Sequence, residues 1–139
     1  MKKLFLSMLI FGGLNAINDP ADLILVFDNF GTDMDLNVYL KTEIADVLGN
    51  DNVYSAYLHV PRNNYKSLAL NEIFNQKAIK SIKVVELEVL THSNEIVINF
   101  KKVNKDDCAP VSLGQVVSFH MENGKLSFKT RIIEYAYAL

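Results

Sequence analysis

Asp33-Met34-Asp35-Leu36-Asn37 sets three oxygen ligands at alternate positions, as the opening of a calcium loop does. Such a loop also needs a glycine at its sixth position, where Val38 stands, and no glutamate closes the segment. The acids are better placed as the first turn of a helix, where the backbone dipole favours negative charge. His59, His92 and His120 are scattered without ligand spacing, so no metal is expected. Cys108 is the sole cysteine and follows Asp106-Asp107, whose carboxylates disfavour a thiolate. It is expected to be inert and partly buried. No serine elbow, phosphate-cradling glycine loop or paired carboxylate set is present. The residues predict no catalytic group, no cofactor and no enzymatic activity.

The elements that position these residues belong to one domain. The chain has 139 residues, half of them hydrophobic and 22% charged, which suits a single core and gives no compositional case for disorder. Fourteen Lys and Arg against sixteen Asp and Glu give a net charge of −2. Lys101-Lys102 and Lys77, Lys80 and Lys83 are the longest basic clusters and read as solvated faces, so nucleic acid is not an expected partner.

Met1-Lys2-Lys3, the apolar run Leu4 to Leu14 and the small residue Ala16 follow the pattern of a secretory signal. Residues 1–16 are expected to be removed, leaving 17–139 as one domain, periplasmic or secreted. The apolar run is broken by Gly12, Gly13 and Asn15 before the roughly 20 residues a membrane-crossing helix needs, so no stable span is expected in the mature chain. A single cysteine cannot form an internal bridge, and the core must hold without one.

The front half reads as helical. Thr32 with Asp35 three residues on resembles a capping box, and Leu36, Leu40, Ile44, Val47 and Leu48 fall at helical spacing before Gly49. Asn63 is placed to cap a second helix through about Gln76, burying Tyr65, Leu68, Ala69 and Ile73. Ala21 to Phe27 and Val53 to Val60 fit either helix or strand. From Lys83 onward the period changes to two: Val85, Leu87 and Val89 alternate with Glu86 and Glu88, and Ile96, Ile98 and Phe100 form a second alternating run. Asn123-Gly124 is a preferred two-residue hairpin loop, and it sets Glu122 opposite Lys125, Met121 opposite Leu126, Phe119 opposite Phe128 and Val117 opposite Thr130. Phe119, Met121, Leu126 and Phe128 are thus expected in the core, with His120 on the opposite face. The predicted fold is α+β, N-terminal helices packed on a C-terminal antiparallel sheet of about four strands.

Asn64-Tyr65-Lys66-Ser67-Leu68-Ala69-Leu70-Asn71-Glu72-Ile73, followed by a sheet with Ile98-Asn99-Phe100-Lys101-Lys102-Val103 before Cys108, resembles the head domain of type IV pilins, b subclass, over roughly Thr32 to Phe128. The resemblance implies a helix-on-sheet head and a role in filament assembly or secretion. The prepilin leader motif, the long spine helix and a second head cysteine have no counterpart, so it points to an accessory or adaptor subunit. The expected role is a non-enzymatic structural or assembly component of a cell-envelope, pilus or secretion apparatus, with an envelope protein or a second copy as partner. The alternative is a small periplasmic ligand-binding or inhibitory module. The C-terminal segment Arg131 to Leu139 stays apolar and aromatic to its end. Ile133, Tyr135 and Tyr137 either complete the domain's own sheet or offer an edge strand to a partner.

Overall fold

In the computed structural model, residues 20–75 and 78–133 are described; the leader segment 1–16, Tyr135 and Tyr137 lie outside them. A short 3₁₀ turn, Pro20–Leu23, leads into β1 (Ile24–Gly31), β2 (Leu36–Asp46), β3 (Asp51–Val60) and β4 (Tyr65–Ala69). A second 3₁₀ turn, Leu70–Glu72, precedes β5 (Ile79–Thr91), β6 (Ile96–Lys101), β7 (Gln115–Glu122) and β8 (Lys125–Ile132). The strands form two four-stranded sheets, ordered β4-β1-β7-β8 and β3-β2-β5-β6. The second sheet is antiparallel throughout, whereas β1 runs parallel to β7 in the first.

One hydrophobic cluster joins the inward faces. Leu25, Phe27, Val117 and Phe119 from the first sheet meet Leu36, Val38, Leu40, Leu87 and Val89 from the second. Phe27 and Phe119 stack with ring centroids 6.1 Å apart. The two sheets therefore make a sandwich, each covering the apolar side of the other.

The expected N-terminal helices are absent among the described residues, and the α+β fold is corrected to an all-β sandwich. The helix assigned after Thr32 is β2. Leu36, Leu40 and Ile44 are four apart, a spacing that satisfies a strand's period of two as well as a helix's turn. Val38 and Thr42 decide between them, because both are buried on the same side as Leu36, Leu40 and Ile44. Their β-branched side chains also favour strand. The second helix is replaced by β4 and the 3₁₀ turn at Leu70. Asn63 has φ 57°, a left-handed turn conformation, whereas a helix cap needs an extended one. Gly49 ends no helix; its φ of 91° shapes the β2–β3 loop. The helix-on-sheet head implied by the pilin resemblance gives way to the same two sheets.

The back half keeps its strands but divides them. β5 and β6 pair in the second sheet, while β7 and β8 form a hairpin in the first. Glu122 faces Lys125, Met121 faces Leu126, Phe119 faces Phe128 and Val117 faces Thr130, as the turn residues require. Asn123 and Gly124 both have positive φ, 52° and 78°. Phe119 is buried and Leu126 and Phe128 are half-buried against the core, but Met121, two residues before the Asn123-Gly124 turn, is 40% exposed.

Candidate functional site

Odd-numbered residues of β2 and β3 face away from the core, and on this outer face the two strands build an ordered surface. Tyr39 lies opposite Tyr57, their ring centroids 4.7 Å apart. Asn37 lies opposite His59, and Asn37 Oδ1 is 2.9 Å from His59 Nδ1. Lys41 reaches across to Glu86 on β5, with Nζ 2.9 Å from Oε2. The hydrogen bond from Lys41 to that carboxylate raises the ammonium's pKa above its ordinary value. A shallow depression of about 320 Å³ beside the tyrosines is lined by Glu86, Glu88, Asn99 and Lys101 among others.

The free edges of the two sheets differ more than their faces. An edge strand presents unpaired N–H and C=O groups, and natural proteins blunt it with charge, proline, brevity or a bulge. β4 has five residues and carries Lys66. β8 carries Lys125, Lys129 and Arg131. β6 has six residues, ends on Lys101 and has its register broken opposite Val89 and Leu90. β3 is neither short nor bulged, and its one formal charge, Asp51, stands at its first residue. Its ten residues, Asp51-Asn52-Val53-Tyr54-Ser55-Ala56-Tyr57-Leu58-His59-Val60, include no Lys, Arg, Pro or Gly. They pair with β2 without a register break from Leu36 opposite Val60 to Ala45 opposite Asp51. Val53 is 61% exposed and Tyr57 80%.

The residues singled out in the sequence lie elsewhere and apart. Ile133 follows β8, half-buried, and its N–H donates to the Gly114 carbonyl at 2.9 Å. Asp35 Oδ1 accepts the Arg62 N–H at 3.0 Å, which lowers the carboxyl's pKa against the opposing effect of desolvation. Asn37 turns to His59 instead of towards Asp33 and Asp35. Among the described residues no group of three or more His, Cys, Asp or Glu could hold a metal ion. Cys108 is exposed rather than partly buried, with Sγ 3.7 Å from the Asp106 carbonyl oxygen. His120 faces away from the core, its Nε2 3.3 Å from Glu122 Oε1.

No protein-family profile matches the chain. No curated protein matches it either. Among solved structures, one described as a trapped toxin aligns at 11% identity and TM-score 0.44, over 79% of this chain and 23% of its own. The human-specific toxin intermedilysin aligns at 12% identity and TM-score 0.45, over 80% of this chain and 23% of its own. A disulfide-locked intermedilysin mutant with human CD59 aligns at 12% identity and TM-score 0.42, over 80% and 24%. The chain thus spans about a quarter of the length of these proteins, a likeness too distant to transfer activity or partner.

β3 was hidden in the sequence because both of its faces carry apolar groups. Tyr54, Ala56, Leu58 and Val60 face inward and Val53 and Tyr57 outward, which masks the alternation that marks a half-buried strand. The signal that could have found it is the Asp46-to-Asn50 turn, since a Gly-containing loop between two ten-residue runs favours a hairpin.

Proposed function

We propose that this chain is a non-enzymatic assembly component of a cell-envelope or secretion apparatus that engages an extended segment of a partner through the β3 edge. The observation that supports this reading most directly is that β3 is ten residues long, pairs without a bulge and carries no charge beyond its first residue, whereas each of the other three edges carries lysine. Strand addition draws affinity from backbone hydrogen bonds and selectivity from side chains on alternate positions. β3 offers both, with Val53 and Tyr57 exposed on a strand that ends its sheet among the described residues. The envelope setting rests on the leader pattern of Met1 to Ala16. Among the described residues no helix is long and apolar enough to cross a membrane.

A photo-crosslinking amino acid placed at Tyr57, compared with one at Lys129 on β8, tests the reading in intact cells. The expected result is crosslinking at Tyr57 to an extended segment of an envelope protein or of a second copy, and none at Lys129. Equal yields from both positions would remove the special role of β3.

A second reading, a small ligand-binding module, is favoured by the paired rings of Tyr39 and Tyr57 beside Glu88 and Asn99. Exposed aromatic faces next to hydrogen-bonding side chains suit a ligand with one flat apolar side and polar edges. The chain has no tryptophan, so a ligand-induced change in emission comes from its six tyrosines, and its loss in Tyr57→Ala would assign it to this pair.

A further inference from the structure

We infer that the partner of the β3 edge is a second copy of this chain, paired β3 to β3 in antiparallel fashion about a two-fold axis through Ser55. This rests on the edge reading above and names its occupant. Pairing of this kind joins two β3-β2-β5-β6 sheets into one continuous sheet of eight strands, and it covers the unblunted edge on both copies at once.

The register follows from the faces. Even-numbered residues of β3 face the core side and odd-numbered residues the outer side. A sheet continuing across the axis must keep like faces together, so even pairs with even and odd with odd. A two-fold axis then passes through a residue that meets its own copy. With Ser55 on the axis, Asp51 falls opposite His59 and Val53 opposite Tyr57 on the outer face, while Tyr54 falls opposite Ala56 on the inner face. Asp51 is the only formal charge on the strand, and this register gives it an imidazole partner. The exposed apolar side chains Val53 and Tyr57 cover each other, the cross-strand pairing that stabilises sheets. Neighbouring registers do worse. An axis through Ala56 puts Asp51 opposite Pro61, which has no N–H to donate, and Val53 opposite His59. An axis through Tyr54 leaves His59 opposite Gly49, in the β2–β3 loop. The Ser55 axis uses nine of the ten residues, Asp51 to His59; the Ala56 axis spans as many, but only the Ser55 axis gives Asp51 a partner on the strand and sets Val53 against another apolar side chain.

Sedimentation of the exported chain, with Ser55 variants, tests the inference. The expected result is a reversible dimer. Ser55→Lys sets two ammonium groups against each other on the axis and should weaken it by about tenfold or more, as juxtaposed like charges do. Ser55→Cys in a Cys108→Ser background should form an intermolecular disulfide under mild oxidation, because directly opposed residues of an antiparallel pair lie within disulfide reach. Ser55 is exposed, so both variants should unfold as the parent chain does, which circular dichroism checks. A monomer at high micromolar concentration, or a dimer that Ser55→Lys leaves intact, overturns self-pairing. If the chain is monomeric and the crosslinker at Tyr57 still captures an extended segment of another envelope protein, self-pairing fails and the edge reading stands. If Tyr57 captures nothing, both fail.

Discussion

Asn29 donates from Nδ2 to the carbonyl oxygen of Val60, 3.1 Å away, and so ties the end of β1 in one sheet to the end of β3 in the other. The same amide donates to the Met34 carbonyl at 2.8 Å, and Asn29 Oδ1 accepts from the Thr32 hydroxyl. Its backbone is also engaged, with its N–H donating to Asn64 and its carbonyl accepting from Asn63. Asn29 is fully buried, so its polar side chain is tolerated only because these partners satisfy it. Asn29→Ala removes the buried donor to the Val60 carbonyl and the acceptor of the Thr32 hydroxyl, while Thr32 still reaches the Met34 carbonyl, and should cost about 1–3 kcal/mol. Chemical denaturation measures this. A loss below about 0.5 kcal/mol, the scale of an ordinary surface change, would show that water replaces the amide.

Gly31 and Gly49 are expected to resist alanine for different reasons. A Cβ on Gly31 would overlap the backbone carbonyl oxygen of Phe119, which no rotamer change relieves. Around Gly49 there is open space, but its φ of 91° is one that a residue with a Cβ adopts only under strain. Gly49→Ala should therefore cost about 1–2 kcal/mol, the left-handed penalty alone. Gly31→Ala should cost more, since β1 and β7 must move apart. Equal losses in a thermal melt would show that β1 shifts freely against β7.

In the back half the strands, though not their division between two sheets, were legible from local pattern. Asn123-Gly124 fixed the register of β7 and β8, and the Val85-Leu87-Val89 alternation located β5. Which sheet each strand joins was not legible, because β1 and β7 meet across some ninety residues of chain and local pattern carries no trace of that pairing. The front half misled for a different reason. Four-residue spacing in β2 fits helix and strand alike, and the capping-box reading of Thr32 took a side chain that in fact bonds Asn29 in a turn. The β3 edge is a property of sheet order, and no single-strand pattern could have revealed it.

Phe119 and Phe128 face each other across the β7–β8 hairpin but are buried to different degrees. Phe119 is 1% exposed and stacks on Phe27, so Phe119→Ala should cost about 3–5 kcal/mol as a core truncation. Phe128 lies on the edge strand β8, half-buried, and its truncation should cost about 1–2 kcal/mol, in proportion to the area it removes from water. A double variant tests the contact between them, since facing residues are expected to be non-additive. Strictly additive losses in urea would mean that the two rings do not pack on each other.

Asp46 organises the β2–β3 loop, which leads into the free edge, and should make the loop acid-sensitive. Its Oδ1 accepts the N–H groups of Leu48 and Asn50, both at 2.9 Å, and its Oδ2 accepts the Asn50 side-chain amide at 3.2 Å. The backbone N–H of Asn50 is the largest influence and lowers the carboxyl's pKa below its ordinary value, with desolvation opposing it and the Asn50 amide and Leu48 adding to it. The unfolded chain therefore takes up this proton at a higher pH than the folded one does. The carboxylate's contribution is fully present above the unfolded value, about 3.9, and is lost as pH falls through the depressed folded value. Asp46→Asn keeps a side-chain acceptor but removes the titration. The parent should be more stable than the variant at neutral pH, and the gap should narrow steadily below about pH 4. Urea midpoints for both chains across that range measure the gap. A gap that stays constant down to the most acidic point would show that Asp46 acts through its shape alone, and that the acid sensitivity must come from the other carboxyls held low by backbone donors, Asp35 and Asp107.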